Sequence, residues 1–198
     1  MISSGEVVEF HQACLAREDW PENRVATDGL HSVWEWIAAN HRFNSLLWAE
    51  EDLARRRDVP DSEIARNKRA IDSFNQARND AVERIDEEIL VSVGNVLRLA
   101  GARQHSETAG MMIDRLSIMS LKIKAMAIQA ERADASSEHL ENCRTKLNRL
   151  LEQRADLASC VDALLKDMAA GSAYFKVYRQ FKMYNDPTLN PYLYANKV

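Results

Sequence analysis

The chain has 198 residues, which fits a single domain with its own core. Its 6 Gly and 4 Pro are few for that length, which argues against a β-sandwich or a barrel and favours long helices. The net charge is −4, so no basic excess exists to neutralise a phosphate backbone, and binding of duplex nucleic acid is disfavoured.

Five helical segments separated by short breakers are predicted in chain order. They cover 2–16, from Thr27 or Asp28 to about 56, from Asp61 or Ser62 to 100, 106–133 and 136–171. Gly101 and Gly171 are expected to end the third and the fifth helix. The fourth helix is apolar on almost every side, so we expect it to be the central helix of the fold.

Short connections between long helices force neighbouring helices to run antiparallel. The sequence therefore predicts an all-α fold, an up-and-down antiparallel bundle of four to five long helices that forms one domain over 1–198. Its parts are an N-terminal helix and turn over 1–26, a four-helix core over 27–171 and a Tyr-rich tail over 172–198 that packs on the bundle.

All five tyrosines lie in this tail, between Tyr174 and Tyr194, interleaved with Lys176, Arg179 and Lys182. An aromatic and basic pattern of this kind can stack nucleobases. The acidic charge of the whole chain and the Asn-Pro turn near the end of the tail favour docking onto the bundle or onto a partner instead.

Polar residues on the apolar faces of helices two, three and four are informative, because burying them unpaired costs roughly 1–3 kcal/mol each. If helices two and three are antiparallel about a turn near Val59, residue n on one lies beside about residue 117 − n on the other. Glu51 and Arg55, four residues apart, are expected to pair along their own helix. The register predicts a first polar layer that contains His41, Asn44, Asp72, Asn75, Arg78 and Asn79.

The same construction about a turn near Arg103 predicts a second polar layer that contains Asp86, Ser120 and Lys124. For this second layer, fixing the register of the helices is the preferred interpretation. The first layer combines an imidazole, amides and a guanidinium, which is typical of a pocket for a phosphate or a carboxylate, with register fixing as the alternative. The candidate ligand-binding residues are His41, Asn44, Glu51, Arg55, Asn75 and Arg78.

Most metal and catalytic arrangements do not fit the spacing of the acidic and His residues. No Glu stands three residues before any His, as a di-iron bundle requires. Glu51 and Glu83 should lie far apart along the bundle, which argues against the magnesium site of helical nucleotide pyrophosphohydrolases. Arg78, Lys124 and Glu51 match, by residue type alone, the grip of helical chorismate-mutase-type enzymes on a dicarboxylate. No metal site, cofactor site, phosphate-binding Gly loop or Ser-His-Asp motif is predicted.

The three widely spaced cysteines, Cys14, Cys143 and Cys160, form no even set, so reduced thiols are expected. The N-terminus lacks a basic segment followed by an apolar run, and charged residues interrupt the most apolar windows. We therefore expect a cytoplasmic protein without a signal peptide or a membrane span.

Four segments, in order along the chain, carry a resemblance to a known family. They are NSLLWAEEDLAR over 44–55, KRAIDSFNQARN over 68–79, IDRLSI over 113–118 and KVYRQFKMYNDP over 176–187. Together they resemble DUF4254, a bacterial family of unknown function. The resemblance implies an all-helical cytoplasmic protein, with members often encoded near glycosyltransferase genes of cell-envelope synthesis, and it supplies no catalytic residues.

The preferred prediction is a binding or accessory protein whose inward polar site holds a small anionic or sugar-phosphate ligand, linked through the resemblance to cell-envelope glycan synthesis. One alternative is an enzyme acting on a phosphorylated or carboxylated metabolite, in which Arg78 and Lys124 grip the anion and Glu51 or His41 moves a proton. Another is a purely structural protein whose polar layers fix helix register. A second copy of the chain or a protein of a glycosyltransferase pathway is the expected partner.

Overall fold

The computed structural model describes residues 2–27, 32–180, 183 and 186–194. Two short strands and six helices are assigned within these ranges. The helices are α1 (Ser4–Ala16), α2 (Ser32–Leu53), α3 (Asp61–Val93), α4 (Ala109–Ala130), α5 (Ser137–Ala169) and the single turn α6 (Pro191–Tyr194). The strands are β1 (Arg103–His105) and β2 (Ala173–Phe175). The predicted all-α bundle is confirmed.

Helices α2 and α3 form an antiparallel hairpin about the short connection 54–60. The Phe43 and Phe74 rings lie 6.3 Å apart, and the Asn67 amide donates a 2.6 Å hydrogen bond to Glu50. These contacts have the register that a turn near Val59 predicts. The two polar faces that the sequence assigns to α2 and α3 therefore meet at the expected level.

Helix α4 is the central helix, as its all-round apolarity predicts, and it packs against α1, α2, α3 and α5. Ile113 and Leu116 on this helix have no solvent exposure. Arg115 and Lys122 remain exposed on one edge of the helix. Ser117, in the middle of α4, is enclosed by neighbouring helices.

The boundary between α3 and α4 differs from the predicted one. Helix α3 does not reach Ala100 but ends at Gly94, whose φ of +67° leaves the helical region. The following segment 95–108 contains β1, and α4 begins after the Thr108 cap rather than at Ser106. The long connection shifts the register of α4 against α3.

The other helix ends differ less from the predicted ones. Ser136 caps α5 as expected, and Gly171, at φ +74°, follows its last turn. Helix α2 begins at Ser32 among the described residues; Thr27 is not helical, and Asp28 lies outside the described ranges. The parallel pair β1–β2, in which Arg103 stands opposite Ala173, was not predicted because each strand has only three residues.

The first part of the C-terminal tail packs on the bundle, as predicted. After β2 the chain runs along α3, where Arg179 forms ion pairs with Glu83 and Glu87. The Asn79 amide donates a 3.0 Å hydrogen bond to the Gln180 side chain. Lys182 lies outside the described residues.

Candidate functional site

A hydrogen-bonded group of five polar side chains, here called the inner network, joins α2 to α4. Its members are Asn40, His41, Asn44, Asp114 and Ser117. The amides of Asn40 and Asn44 each donate a 2.8 Å hydrogen bond to Oδ1 of Asp114. Asn44 also donates to the Ser117 hydroxyl at 3.0 Å, and that hydroxyl lies 2.8 Å from Nδ1 of His41. The network satisfies buried amide and carboxylate groups that would otherwise destabilise the interface, while Nε2 of His41 has no partner among the described residues.

The His41 ring lies in an aromatic stack that also contains His11 of α1 and Trp20. Its centroid is 4.3 Å from that of His11 and 5.3 Å from that of Trp20. Burial lowers the pKa of His41 to about 4, and burial together with the nearby His41 and Arg154 lowers the pKa of His11 well below 6.5. Both imidazoles are therefore neutral at pH 7.

A cavity opens beside the inner network between α2 and α3, with one wall from α4. This α2–α3 cavity has a volume of about 320 Å³. Its lining contains five of the six candidate residues, namely Asn44, Glu51, Arg55, Asn75 and Arg78. The remaining candidate, His41, does not line the cavity and contacts Ser117 behind it. The structure thus brings together all candidates except the imidazole.

Charged groups in the α2–α3 cavity are unequally paired. Arg55 lies 3.1 Å from Glu51, the predicted pair along α2, and 3.9 Å from Asp52. The Arg78 side chain is 24% exposed, and its Nε stands 4.0 Å from Asp114, beyond hydrogen-bond distance. This buried Nε donates no hydrogen bond to any described residue. Arg78 therefore brings to the cavity a cation without a close carboxylate partner.

The predicted second layer of Asp86, Ser120 and Lys124 is not formed. Asp86 accepts a 2.6 Å hydrogen bond from the backbone of Gly110, Ser120 donates to the Leu116 carbonyl, and Lys124 donates to the Leu15 carbonyl. The physical reason is the longer connection between α3 and α4, which sets Gly110 rather than Ser120 against Asp86. An ion pair between Asp86 and Lys124 is excluded by this register.

Asp86 is nevertheless an unusual carboxyl group, buried at the N-terminal end of α4. Desolvation raises its pKa to about 6, against the lowering effect of hydrogen bonds from Thr108 and Gly110. The two helices approach closely there, since a Cβ on Gly110 would lie 2.5 Å from the Val82 carbonyl oxygen. Glycine is required at this contact by space.

Sequence reasoning missed the role of Asp114 and Ser117 in the site, as well as the stack of His11 and Trp20. A usable signal was the spacing of Asn40 with Asn44 and of Asp114 with Ser117, which places each pair on one helix face. The incorrect α3–α4 register concealed that these two faces meet. The stack had no comparable signal, because α1 and the turn after it reach the core only through tertiary packing.

Neither a metal centre nor a membrane segment emerges from the residues that the structure describes. Within those ranges, no three His, Cys, Asp or Glu side chains cluster so that they could hold a metal ion. Each described helix falls short of the length or apolarity needed to cross a bilayer.

Comparison with known proteins gives a family but no activity. A family model described as a protein of unknown function, DUF4254, matches residues 34–177. No curated protein and no solved structure matches the chain. The match covers α2 to β2, including the whole inner network and the α2–α3 cavity. The chain belongs to the DUF4254 family.

Proposed function

We propose that this protein is a binding protein for a small hydroxyl-rich phosphorylated ligand, a sugar phosphate, which it holds in the α2–α3 cavity. The observation that carries the proposal is Arg78, which lines the cavity with a side chain that is 24% exposed and whose nearest carboxylate, that of Asp114, stands 4.0 Å from its Nε. Its guanidinium makes one hydrogen bond to a described residue, to the Asn79 side chain at 3.1 Å, so N–H donors remain for a ligand. Phosphate oxygens match the planar donors of a guanidinium.

The balance of charges favours a ligand that has hydroxyl groups as well as an anion. Glu51 and Asp52 bring two carboxylates to the cavity, and Arg55 and Arg78 bring two guanidinium groups. A plain dianion would meet repulsion from the carboxylates, whereas sugar hydroxyls can donate hydrogen bonds to them. The Asn75 amide adds both a donor and an acceptor to the same wall.

The apolar part of the cavity suits the ring of a sugar. Trp48 lines the cavity and is 36% exposed, so one part of its indole is accessible. Leu47, Ile118 and Leu121 complete the apolar wall. An aromatic surface with a few converging polar groups is a typical small-molecule site.

Binding is preferred over catalysis because one candidate proton carrier, His41, lies outside the cavity and the other, Glu51, is paired with Arg55. His41 is buried, neutral at pH 7 and directed at Ser117, and Glu51 is engaged by Arg55. A general acid or base must come within hydrogen-bond reach of the reacting group. A place in cell-envelope glycan synthesis, which the family resemblance implies, accords with a sugar-phosphate ligand.

Isothermal titration calorimetry with hexose 1-phosphates, beginning with glucose 1-phosphate, tests the proposal. We expect saturable binding to the wild type and at least about tenfold weaker binding to Arg78→Gln, equivalent to about 1.4 kcal/mol. Arg66→Gln is the matched control, since the Arg66 side chain on the same helix is 73% exposed. Equal affinity of the wild type and Arg78→Gln, or no binding of any hexose 1-phosphate, would refute the proposal.

A further inference from the structure

We infer that the connection between α3 and α4 binds the surface of an anionic lipid bilayer. The segment 94–101, here called the α3–α4 loop, is exposed to solvent along its whole length. Leu97 is 85% exposed and Leu99 is 55% exposed, and Val91, on the last turn of α3, is 76% exposed. No residue of the loop lines the α2–α3 cavity, so the inference does not depend on the proposed function.

The α3–α4 loop stands at the end of the bundle where α1 and α4 begin and α3 and α5 end. Ser4, at the start of α1, donates hydrogen bonds to Asp162 near the end of α5. The backbone amide of Leu99 donates a 3.0 Å hydrogen bond to the carbonyl of Gly171, just after the last turn of α5. A flat surface can therefore approach the loop along the axis of the bundle.

The backbone of the α3–α4 loop is anchored, so the exposure of its leucines is built into the fold. A glycine with a positive φ turns the chain at each end of the loop. Besides the hydrogen bond of Leu99, the guanidinium of Arg98 lies 4.0 Å from the ring centroid of Tyr174. Single exposed apolar side chains are ordinary, but several of them close together on one anchored loop indicate an interaction site.

The charge around the α3–α4 loop is positive, although the chain as a whole is acidic. No Asp or Glu occurs over 89–106, a stretch that contains Arg98 and Arg103. The last turn of α5 adds the exposed Lys166, followed by Asp167, which lies 3.6 Å from Arg103. Three cations thus stand against one carboxylate, and the ion pair leaves a positive balance from Arg98 and Lys166.

Carboxylates farther back from this end of the bundle are engaged within the chain. Glu87 forms ion pairs on its own helix and with the tail. Glu88 accepts a hydrogen bond from the hydroxyl of Ser32, and Asp162 accepts from Ser4. The groups that first meet an approaching surface are therefore leucines and basic side chains.

Exposed aliphatic side chains together with an excess of cations fit a bilayer that contains acidic phospholipids. Leucine side chains enter the boundary between headgroups and acyl chains, and lysine and arginine are attracted to the negative surface. A projecting side chain such as Leu97 can enter lipid without a complementary pocket on the partner. A second copy of the chain fits less well, because a two-fold interface would bring the same cations against each other.

Co-sedimentation with vesicles of phosphatidylglycerol and phosphatidylcholine in equal parts tests the inference, with vesicles of phosphatidylcholine alone as the reference. We expect the wild type to bind the vesicles with phosphatidylglycerol more tightly and to lose this preference at high salt. Leu97→Glu should weaken the binding about tenfold or more, because a leucine is withdrawn from lipid. Arg98→Gln should weaken it about fivefold.

Ile128→Glu is the matched control for Leu97→Glu. Ile128 is 56% exposed at the far end of α4, and the substitution changes the net charge by the same amount. It should bind vesicles as the wild type does. Circular dichroism should show the same helical signal in both variants and the wild type, because both positions are exposed.

Four outcomes would overturn the inference. They are a wild type that binds neither kind of vesicle, equal binding by Leu97→Glu and the wild type, an equal loss in Ile128→Glu, and equal binding to both kinds of vesicle. A dimer in sedimentation velocity that Leu97→Glu abolishes, without vesicle binding, would assign the α3–α4 loop to a second copy instead. The titration with hexose 1-phosphates is independent of all these results.

Discussion

The inner network and Arg78 are neighbouring polar groups in one helical bundle, yet they differ in what satisfies them. In the network, Asn40 and Asn44 are almost fully buried and donate to Asp114, which belongs to the same chain. Arg78 reaches toward the same carboxylate but stops 4.0 Å short, and its Nε is left without an acceptor among the described residues. The amides of the first group are paired within the chain, and Nε2 of His41 is the buried atom of the network that lacks a partner among the described residues. On the proposed function, the guanidinium of Arg78 finds its partner in a bound ligand.

The difference indicates two uses for polar residues on packing faces. The inner network makes one register of α2 against α4 more favourable than its neighbours, because a shifted helix would leave buried amides unpaired. A polar group without a close partner in the chain, such as the Arg78 guanidinium, contributes little to folding and can instead bind a ligand. Substitutions in the inner network should therefore lower the free energy of unfolding. Substitution of Arg78 should instead weaken ligand binding and leave the free energy of unfolding almost unchanged.

The largest loss of stability is expected from Asp114→Ala, which removes the acceptor shared by the two buried amides. Asn44 keeps its hydrogen bond to Ser117, but two hydrogen bonds to a charged acceptor are lost. Each contributes roughly 1.5–3 kcal/mol, so we expect a loss of about 4 kcal/mol in the free energy of unfolding. Urea denaturation measures this loss, with Asp156→Ala at an exposed position of α5 as the control. A change no larger than that of the control would show that the network does not stabilise the fold.

The next effect concerns the close contact that positions α4 against α3. In Gly110→Ala the new methyl group would lie 2.5 Å from the Val82 carbonyl oxygen and 2.9 Å from Asp86, so the helices must separate. We expect a loss of about 3 kcal/mol in the free energy of unfolding, at the upper end of overpacking effects. Gly5→Ala is the control, since nothing lies within 4 Å of a Cβ at that position. A small effect of Gly110→Ala would mean that α4 can shift without breaking the inner network.

Acid should destabilise the folded protein through protonation of His41, a member of the inner network. The unfolded chain binds a proton at this imidazole near pH 6.5, and the folded protein does so only near pH 4. The stability that His41 contributes is thus complete above pH 6.5 and falls by roughly 3 kcal/mol as the pH drops to 4. His11, whose pKa is also lowered, acts in the same direction.

Asp86 opposes this trend, because its pKa is raised from 3.8 to about 6 in the folded state. Its contribution is complete below pH 3.8 and is lost as the pH rises through 6. Asp86→Asn should therefore steepen the loss of stability in acid, and His41→Leu should flatten it. Urea denaturation at several pH values checks both slopes; identical profiles in the three proteins would contradict this assignment.

The smallest effect is expected where a buried polar group is already unpaired. Neither ring nitrogen of His11 has a hydrogen-bond partner among the described residues, although the side chain has no solvent exposure. Replacing it by leucine removes unsatisfied groups, so His11→Leu should change the free energy of unfolding by less than about 1 kcal/mol at pH 7. His41→Leu, which breaks the contact with Ser117, should cost more in the same thermal or urea denaturation series. The reverse order would show that His11 has a partner that the fold requires.

The α2–α3 half of the site could be predicted from the sequence because its helices are joined by one tight connection. A turn near Val59 fixes which residues face each other, and Asn44, Asn75 and Arg78 accordingly line one cavity. The positions of the residues around each helix and the place of one turn were sufficient to predict this half of the site. The pairing of Glu51 with Arg55 required only their spacing along one helix.

The α4 half could not be predicted, since the end of α3 was not visible in the hydrophobic pattern. Leu97 and Leu99 continue an apolar run past Gly94, although both are exposed in the structure. The predicted turn therefore lay too late in the chain, and Gly110 faces Asp86 about ten residues before the expected Ser120. Asp114, which accepts hydrogen bonds from the network amides and is the carboxylate nearest to Arg78, was missed for this reason.

The most direct test of the account is to measure stability and ligand binding together in Arg78→Gln. If the guanidinium serves a ligand rather than the fold, the free energy of unfolding should fall by less than about 1 kcal/mol. Binding of glucose 1-phosphate should weaken at least about tenfold in the same protein. A loss of more than about 2 kcal/mol in stability with unchanged binding would contradict the account and place Arg78 with the inner network.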